Sequence, residues 1–423
     1  MFESRPYFTV NAILVQPPKS PVKAEIKLAA SKSECNRALI LHALTHFKSE
    51  LTNISEARDS QTMQRLLHAQ EEIADVIDAG TTMRFLTAYF AITGQKKIMT
   101  GTPRMCERPI ALLVDALRQL GASIEYQKTV GYPPIMLNGF SYSGVNTLQI
   151  RGDVSSQYIS ALLMVAPLLP DGLHIELVGE IGSRPYIEMT IEQMAAFGVE
   201  VQADWTAKRL SVSHQNYQPQ PYAIESDWSG ASYWYSIVAL AEDAEIELLG
   251  LKEESLQGDS AIVDIMEHLG VRSTFTKRGV LLEKTTTAPS IGWDFTNCPD
   301  LAQTVAVCCA MKNIELSMTG VESLKIKETD RIFALQEELK KLGAELKEVE
   351  TNHRYEVTRV QTISAETTPS IHTYDDHRMA MAFAPVGMIQ PILIEEPGVV
   401  VKSYPTFWEH LGLITTLEEL ELS

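Results

Sequence analysis

No uninterrupted apolar run in these 423 residues reaches the length of about 18 that a spanning helix needs, so no membrane partner is expected. Cysteine is scarce and odd in number: there are five, with Cys308 and Cys309 adjacent inside an apolar run. Without a Cys-x-x-Cys pair or a His-x-x-x-His spacing, neither a disulfide framework nor a zinc site is indicated. Positive charge is in deficit, 36 Lys and Arg against 54 Asp and Glu, for a formal net charge of −18. That balance argues against a general role on nucleic acid, where attraction to phosphate supplies much of the affinity. The opening "MFESRPYFTV" lacks a basic stretch followed by an apolar one, so no secretory leader is expected. Absent too are Gly-x-Ser-x-Gly, a Walker loop and a Gly-x-Gly-x-x-Gly between strand and helix. The expectation is a cytoplasmic, reduced, metal-free and cofactor-free monomer, long enough for two domains of about 200 residues each.

What is present is a repeat. Four segments share an amphipathic helix, a glycine and a short alternating strand: "LVDALRQLGASIEY", "TIEQMAAFGVEVQA", "VDIMEHLGVRSTF" and "ALQEELKKLGAELKEV". Their glycines, Gly121, Gly198, Gly270 and Gly343, are separated by 77, 72 and 73 residues. Gly just past the last apolar position is the expected helix stop, and a near-constant period implies a repeated unit. A second helix family starts polar and then turns strongly apolar, near Ser31, Ala79, Ser155, Trp228, Pro299 and Asp376. Those starts are spaced by 48, 76, 73, 71 and 77 residues, so the first interval is about 25 residues short. Two domains of three α/β units follow, the first unit having lost a strand pair.

Helix N-termini carry unsatisfied N–H groups and a partial positive charge, which favours bound anions. The residues at these starts suit that use. Ser31-Lys32-Ser33 precedes Arg37, Gly80 and Thr81 precede Arg84, and "GTPRMCERPI" sets Arg104 and Arg108 in a proline-braced loop. Ser155-Ser156-Gln157 is more hydrogen-bonding capacity than one cap requires. His377 and Arg378 sit just inside one helix, Lys327 and Arg331 at the start of another. A cation there opposes the helix dipole unless an anion is bound. Glu328 and Asp300 are carboxylates placed to move protons, although Asp300 also suits an ordinary helix cap. The pattern points to chemistry on a multiply anionic small molecule.

Taken in order, "SKSECNRAL", "DAGTTMR", "PRMCERPI", "GDVSSQY", "SRPYI", "IKETDR" and "DDHRMAM" closely resemble the EPSP synthase family over nearly the whole chain. The resemblance implies a two-domain inside-out α/β barrel, each domain three βαβαββ-type units, with the active site in the interdomain cleft. The domains would be residues 30–226 and residues 227–423 plus 1–29, the first unit shortened. It implies an enzyme of aromatic amino-acid biosynthesis that moves the enolpyruvyl group of phosphoenolpyruvate to the 5-hydroxyl of shikimate 3-phosphate, by addition and then elimination of phosphate. Carried over by motif, Ser33, Arg37, Ser155, Ser156, Gln157, Ser183, Ser323 and Lys327 would hold shikimate 3-phosphate. Gly80, Arg108, Gln157, Arg331, Arg378 and Lys402 would hold phosphoenolpyruvate, and Lys32 would touch both. Asp300 would bind shikimate 3-phosphate and take its hydroxyl proton. Lys32, Glu328, His377 and Lys402 would share the remaining proton transfers.

Three positions depart from the family pattern. Asp78 replaces the usual Asn and adds charge near an anion site, so it is expected to be protonated or turned away. Ser323 stands where Asn is common, and Phe85 where Pro is common. Two other readings stay open. One is the sister enolpyruvyltransferase acting on UDP-N-acetylglucosamine, which uses a loop cysteine; "PRMCERP" offers Cys106, but the Ser-Ser-Gln trio and "KETDR" speak against it. The other is an inactive anion-binding homologue.

Overall fold

Helix, glycine and strand recur through the chain at the predicted period. The computed structural model describes residues 11–153, 155–360 and 368–421. The opening decapeptide behind the leader argument and Val154 of the Ser-Ser-Gln motif lie outside the described residues. The four amphipathic helices are Ala111–Leu120, Arg184–Ala196, Ile262–His268 and Arg331–Lys341. Each is stopped by its glycine in the left-handed region, with φ of +112° at Gly121 and +71° at Gly343. A side chain at Gly121 would also clash, since its Cβ would lie 1.9 Å from the Ser141 carbonyl oxygen.

The six apolar helices are α1 (Lys32–Leu44), α2 (Gly80–Ile92), α3 (Ser156–Val165), α4 (Trp228–Leu240), α5 (Ala302–Lys312) and α6 (His377–Phe383). They are buried on nearly every face, which is why their sequences are apolar all round rather than striped. Polar starts now have local reasons. Ser31, Ser155, Asp227 and Asp376 each accept a hydrogen bond from a backbone N–H in the first turn of the helix they cap.

Five of the sheets among the described residues have four strands on one plan: a parallel pair, then two further strands added antiparallel. In one, Ile73–Asp75 lies parallel to Lys97–Thr100, which pairs with Ile135–Phe140 and that with Ala122–Tyr126. The sixth has only Glu50–Thr52 parallel to Pro221–Ala223. There the helix Arg58–His68 runs on to Ile73–Asp75 with no hairpin between them. Among the described residues, the strand pair that the short first interval predicted to be missing is absent. Beside it lies a cavity of about 290 Å³, lined by Leu39, His42, Phe47, Leu51, Leu67 and His68 among others.

The chain divides into two compact units, Ala30–Glu225 with Leu256–Gly258, and Met1–Ala29, Ser226–Ser255 and Asp259–Ser423. Each has its own apolar core.

Candidate active site

In the N-terminal unit, Lys32 opens α1 and its Nζ lies 3.3 Å from Asp59 Oδ2. Arg37, one turn on and only 2% exposed, is spread over the helix Arg184–Ala196. It donates through Nε to Thr190 Oγ1 at 2.7 Å, and through Nη2 to Ser160 Oγ at 3.2 Å and the Tyr186 carbonyl at 3.1 Å. Nη1 donates to the Ser33 carbonyl at 2.9 Å. All these acceptors are neutral, and burial pulls the guanidinium down to about 10. Gly80 is the first residue of α2. A Cβ added there would meet Arg108 Nη2 and Arg84 Nη1, each at 2.8 Å, so two guanidinium groups meet at one helix N-terminus. Gln157 joins them, donating to Thr81 Oγ1 at 2.9 Å. Ser155 caps α3, Ser156 is its buried first residue, and Ser183 precedes Arg184–Ala196 in the left-handed region at φ +53°. A non-glycine residue there carries strain of about 1–3 kcal/mol, which clusters at functional positions.

In the C-terminal unit the charges are knotted together. Asp300 lies in the turn Pro299–Leu301 leading into α5. Its Oδ1 accepts from Arg331 Nη1 at 3.0 Å and lies 3.7 Å from Lys327 Nζ, while its Oδ2 accepts from Arg378 Nη2 at 2.7 Å. Arg331, 1% exposed, also donates to Glu328 Oε2 at 2.9 Å and to Asp376 Oδ2 at 2.7 Å. Asp376 Oδ1 accepts from the Arg378 backbone N–H at 2.8 Å, so the residue that seats Arg331 also starts the helix carrying His377 and Arg378. Buried Lys402 lies 3.2 Å from Glu328 Oε1, and His377 Nδ1 lies 3.7 Å from Asp376 Oδ1. Seven predicted residues of this half therefore meet. Ser323 stands exposed in the turn Glu322–Ile326, with no hydrogen bond to the cluster among the described residues.

This answers the charge crowding in "KETDR". Arg331 is tolerated at a helix start because three carboxylates surround it. Burial alone would raise the Asp300 pKa, but the charges of Arg378, Lys327 and Arg331 outweigh it and hold the group well below the usual carboxylate range. Burial lowers Lys327 in spite of Asp300 beside it.

A sequence profile described as EPSP synthase (3-phosphoshikimate 1-carboxyvinyltransferase) matches residues 16–76 and 64–411. A Bacteroides fragilis protein named 3-phosphoshikimate 1-carboxyvinyltransferase is 48% identical over 395 residues, covering 93% of this chain and 95% of its own. One of the same name from Pasteurella multocida is 35% identical over 440 residues, covering 95% and 97%. The chain belongs to the EPSP synthase family. Its two-domain α/β fold is also that of a solved EPSP synthase from Acinetobacter baumannii, with a TM-score of 0.76 at 19% identity over 97% of this chain and 100% of the other.

Against the EPSP synthase pattern, Asp78 has a cation beside it. Both its carboxylate oxygens accept from Arg58 Nη2, at 3.0 and 2.9 Å, so a neighbouring cation offsets the added charge. Phe85 is 1% exposed, and its ring centroid lies 5.3 Å from the Arg37 guanidinium. The ring thus braces that arginine besides filling space behind Gly80. Cys106 ends the turn Pro103–Cys106, its thiol donating to the Gly101 carbonyl at 3.6 Å. Sequence reasoning missed Asp59 and Asp376 as partners. The "DDHR" motif displays Asp376 openly; Asp59 lies in an unremarked helix start and gives no signal.

Proposed function

We propose that this family member transfers the enolpyruvyl group of phosphoenolpyruvate to the 5-hydroxyl of shikimate 3-phosphate, releasing phosphate, as a cytoplasmic enzyme. The observation that carries this reading is the meeting of Lys327, Arg331 and Arg378 on the single carboxylate of Asp300. Three cations around one proton acceptor suit a reaction in which anionic substrates bind and a hydroxyl loses its proton. The N-terminal unit supplies the polar grip on shikimate 3-phosphate through Ser33, Arg37, Ser155, Ser156, Gln157 and Ser183. Gly80 and Arg108 take phosphoenolpyruvate with Arg331, Arg378 and Lys402, and Lys32 serves both.

A base with so depressed a pKa is weak, and the arrangement contains its own remedy. Incoming carboxylate and phosphate groups compete with Asp300 for the N–H groups of Arg331, Arg378 and Lys327. Each cation drawn away raises the basicity of Asp300 toward the range a general base needs. Asp300 then accepts the hydroxyl proton while an acid among Lys32, Glu328, His377 and Lys402 protonates the methylene carbon. Elimination runs those roles in reverse. The test is phosphate release from phosphoenolpyruvate with shikimate 3-phosphate, with UDP-N-acetylglucosamine, and with neither acceptor. Release with the first alone is expected; release with the UDP-sugar alone, or with neither, sinks the reading.

A further inference from the structure

Asp259 and Ser229 belong to none of the sequence motifs and have no part in the proposed reaction, yet they lie against its densest charge. Asp259, in the turn Gly258–Ala261, is 1% exposed, and its Oδ2 accepts a hydrogen bond from Ser229 Oγ. Ser229, in the first turn of α4, accepts in turn from Arg378 Nη2 at 3.4 Å. The same Nη2 donates to Asp300 Oδ2 at 2.7 Å, and Nη1 reaches the Tyr233 hydroxyl at 3.4 Å and the Asp300 carbonyl at 3.5 Å. Arg378 is thus held by one short bond to a carboxylate and three long ones. In the proposed reaction a substrate carboxylate that binds Arg378 competes with Asp300 for it, and the short bond is the one at stake. The guanidinium then rests on the long set, whose Ser229 arm leads to a buried negative charge.

We propose that Asp259, acting through Ser229, is a positioning residue that keeps Arg378 in place for the carboxylate of phosphoenolpyruvate once Asp300 lets go. This rests on the proposed function. A charge that need not move is the physical requirement, since a guanidinium freed from the short bond to Asp300 would otherwise sample several rotamers before meeting its ligand. The charged and titratable groups around Asp259 are Asp300, Arg378, Asp227 and the Cys298 thiol. Burial, helped by the charge of Asp300, raises the Asp259 pKa to about 6, so the carboxylate is ionised above that pH.

The experiment begins with wild-type turnover on shikimate 3-phosphate and phosphoenolpyruvate; silence there defeats the functional reading and not this one. With turnover established, Asp259→Asn should raise KM for phosphoenolpyruvate about tenfold, the scale of one weakened hydrogen bond to a charged group. The kcat and the KM for shikimate 3-phosphate should stay within about twofold, because the residue touches neither reacting atoms nor the other substrate. Ser229→Ala should give the same selective rise, Ser229→Thr should restore it, and the double variant should be no worse than either single change. Equal rises in both KM values, a fall in kcat as large as the KM effect, or additive single changes would overturn the proposal. Should Asp259→Asn fail to fold, Ser229→Ala decides the matter, because it leaves the carboxylate in place.

Discussion

Arg37 and Arg84 of the N-terminal unit are held by neutral partners, although Lys32 there meets Asp59, whereas Arg331 and Arg378 of the C-terminal unit are held by carboxylates. Arg37 rests on hydroxyls and carbonyls, and Arg84 lies at Gly80, donating to its carbonyl at 2.8 Å. Arg331 and Arg378 are bound to Asp300, and Arg331 also to Glu328 and Asp376. Neutral acceptors fix a guanidinium without cancelling its charge, so an arriving phosphate meets the full field. Carboxylates cancel the charge, so an anion must first displace one. In the proposed reaction the first arrangement would suit recognition, and the second would couple binding to the release of a base.

The largest test of this contrast is Asp300→Asn, which removes the negative charge on which three cations meet. Turnover should fall about 10²- to 10⁴-fold with the fold intact by circular dichroism. Retention of more than about a third of the wild-type rate would return Asp300 to the role of a helix-turn cap. Next comes Arg37→Met, which leaves the Thr190 and Ser160 hydroxyls without their cation. Urea unfolding should show a loss of about 2–3 kcal/mol, with KM for shikimate 3-phosphate raised more than kcat is lowered. Unchanged stability and KM together would mean that neutral-partnered burial does not matter there.

A smaller effect is expected in pH dependence, and it belongs to the acid-rich half. The carboxyl of Asp259 titrates at about 6 in the folded protein against an ordinary 3.8. A raised acid pKa means that the folded state holds the proton more tightly. Its contribution to stability is therefore full below about pH 4 and lost as pH rises through 6. Asp259→Asn should remove from the unfolding free energy a slope of up to about 1.4 kcal/mol per pH unit in that window. An identical slope in variant and wild type would show that Asp259 does not titrate there. The smallest change expected is for Asp78→Asn. Its pair with Arg58 is partly exposed, so a loss under about 1 kcal/mol and turnover within about twofold are anticipated. A tenfold change in KM for phosphoenolpyruvate would place Asp78 in the binding site itself.

Periodicity made the architecture readable, because each apolar helix with a polar start repeats the same local problem and solves it with the same residue types. Even the lost strand pair shows as one short interval. Motif order likewise drew attention to Lys327, Arg331 and Arg378, and a carboxylate at a helix start drew it to Asp300. What one dimension cannot carry is who pairs with whom. Lys32 meets Asp59 on another helix, Arg331 meets Asp376 from 45 positions away, and Arg58 offsets Asp78. Opposite charges are common in any acidic chain, and only the fold selects among them. Ser323 is a predicted position that the fold leaves exposed, with no hydrogen bond to the cluster among the described residues.

The two-stranded sheet is also a place where the chain can be lengthened. Between His68 and Ile73 a few residues do what a whole hairpin does in the other units, and Gln70, Glu71 and Glu72 are exposed. Ala69 and Glu71 are tied to Lys97 Nζ only by their carbonyls, at 3.0 and 2.6 Å, which leaves their side chains free of that bond. Closing a longer loop costs only about 0.6 kcal/mol for each doubling of its length. A reporter peptide or an affinity tag spliced after Gln70 should therefore be carried by the folded enzyme at little loss. For anyone wishing to immobilise this protein by its middle rather than its ends, that seam is the natural handle.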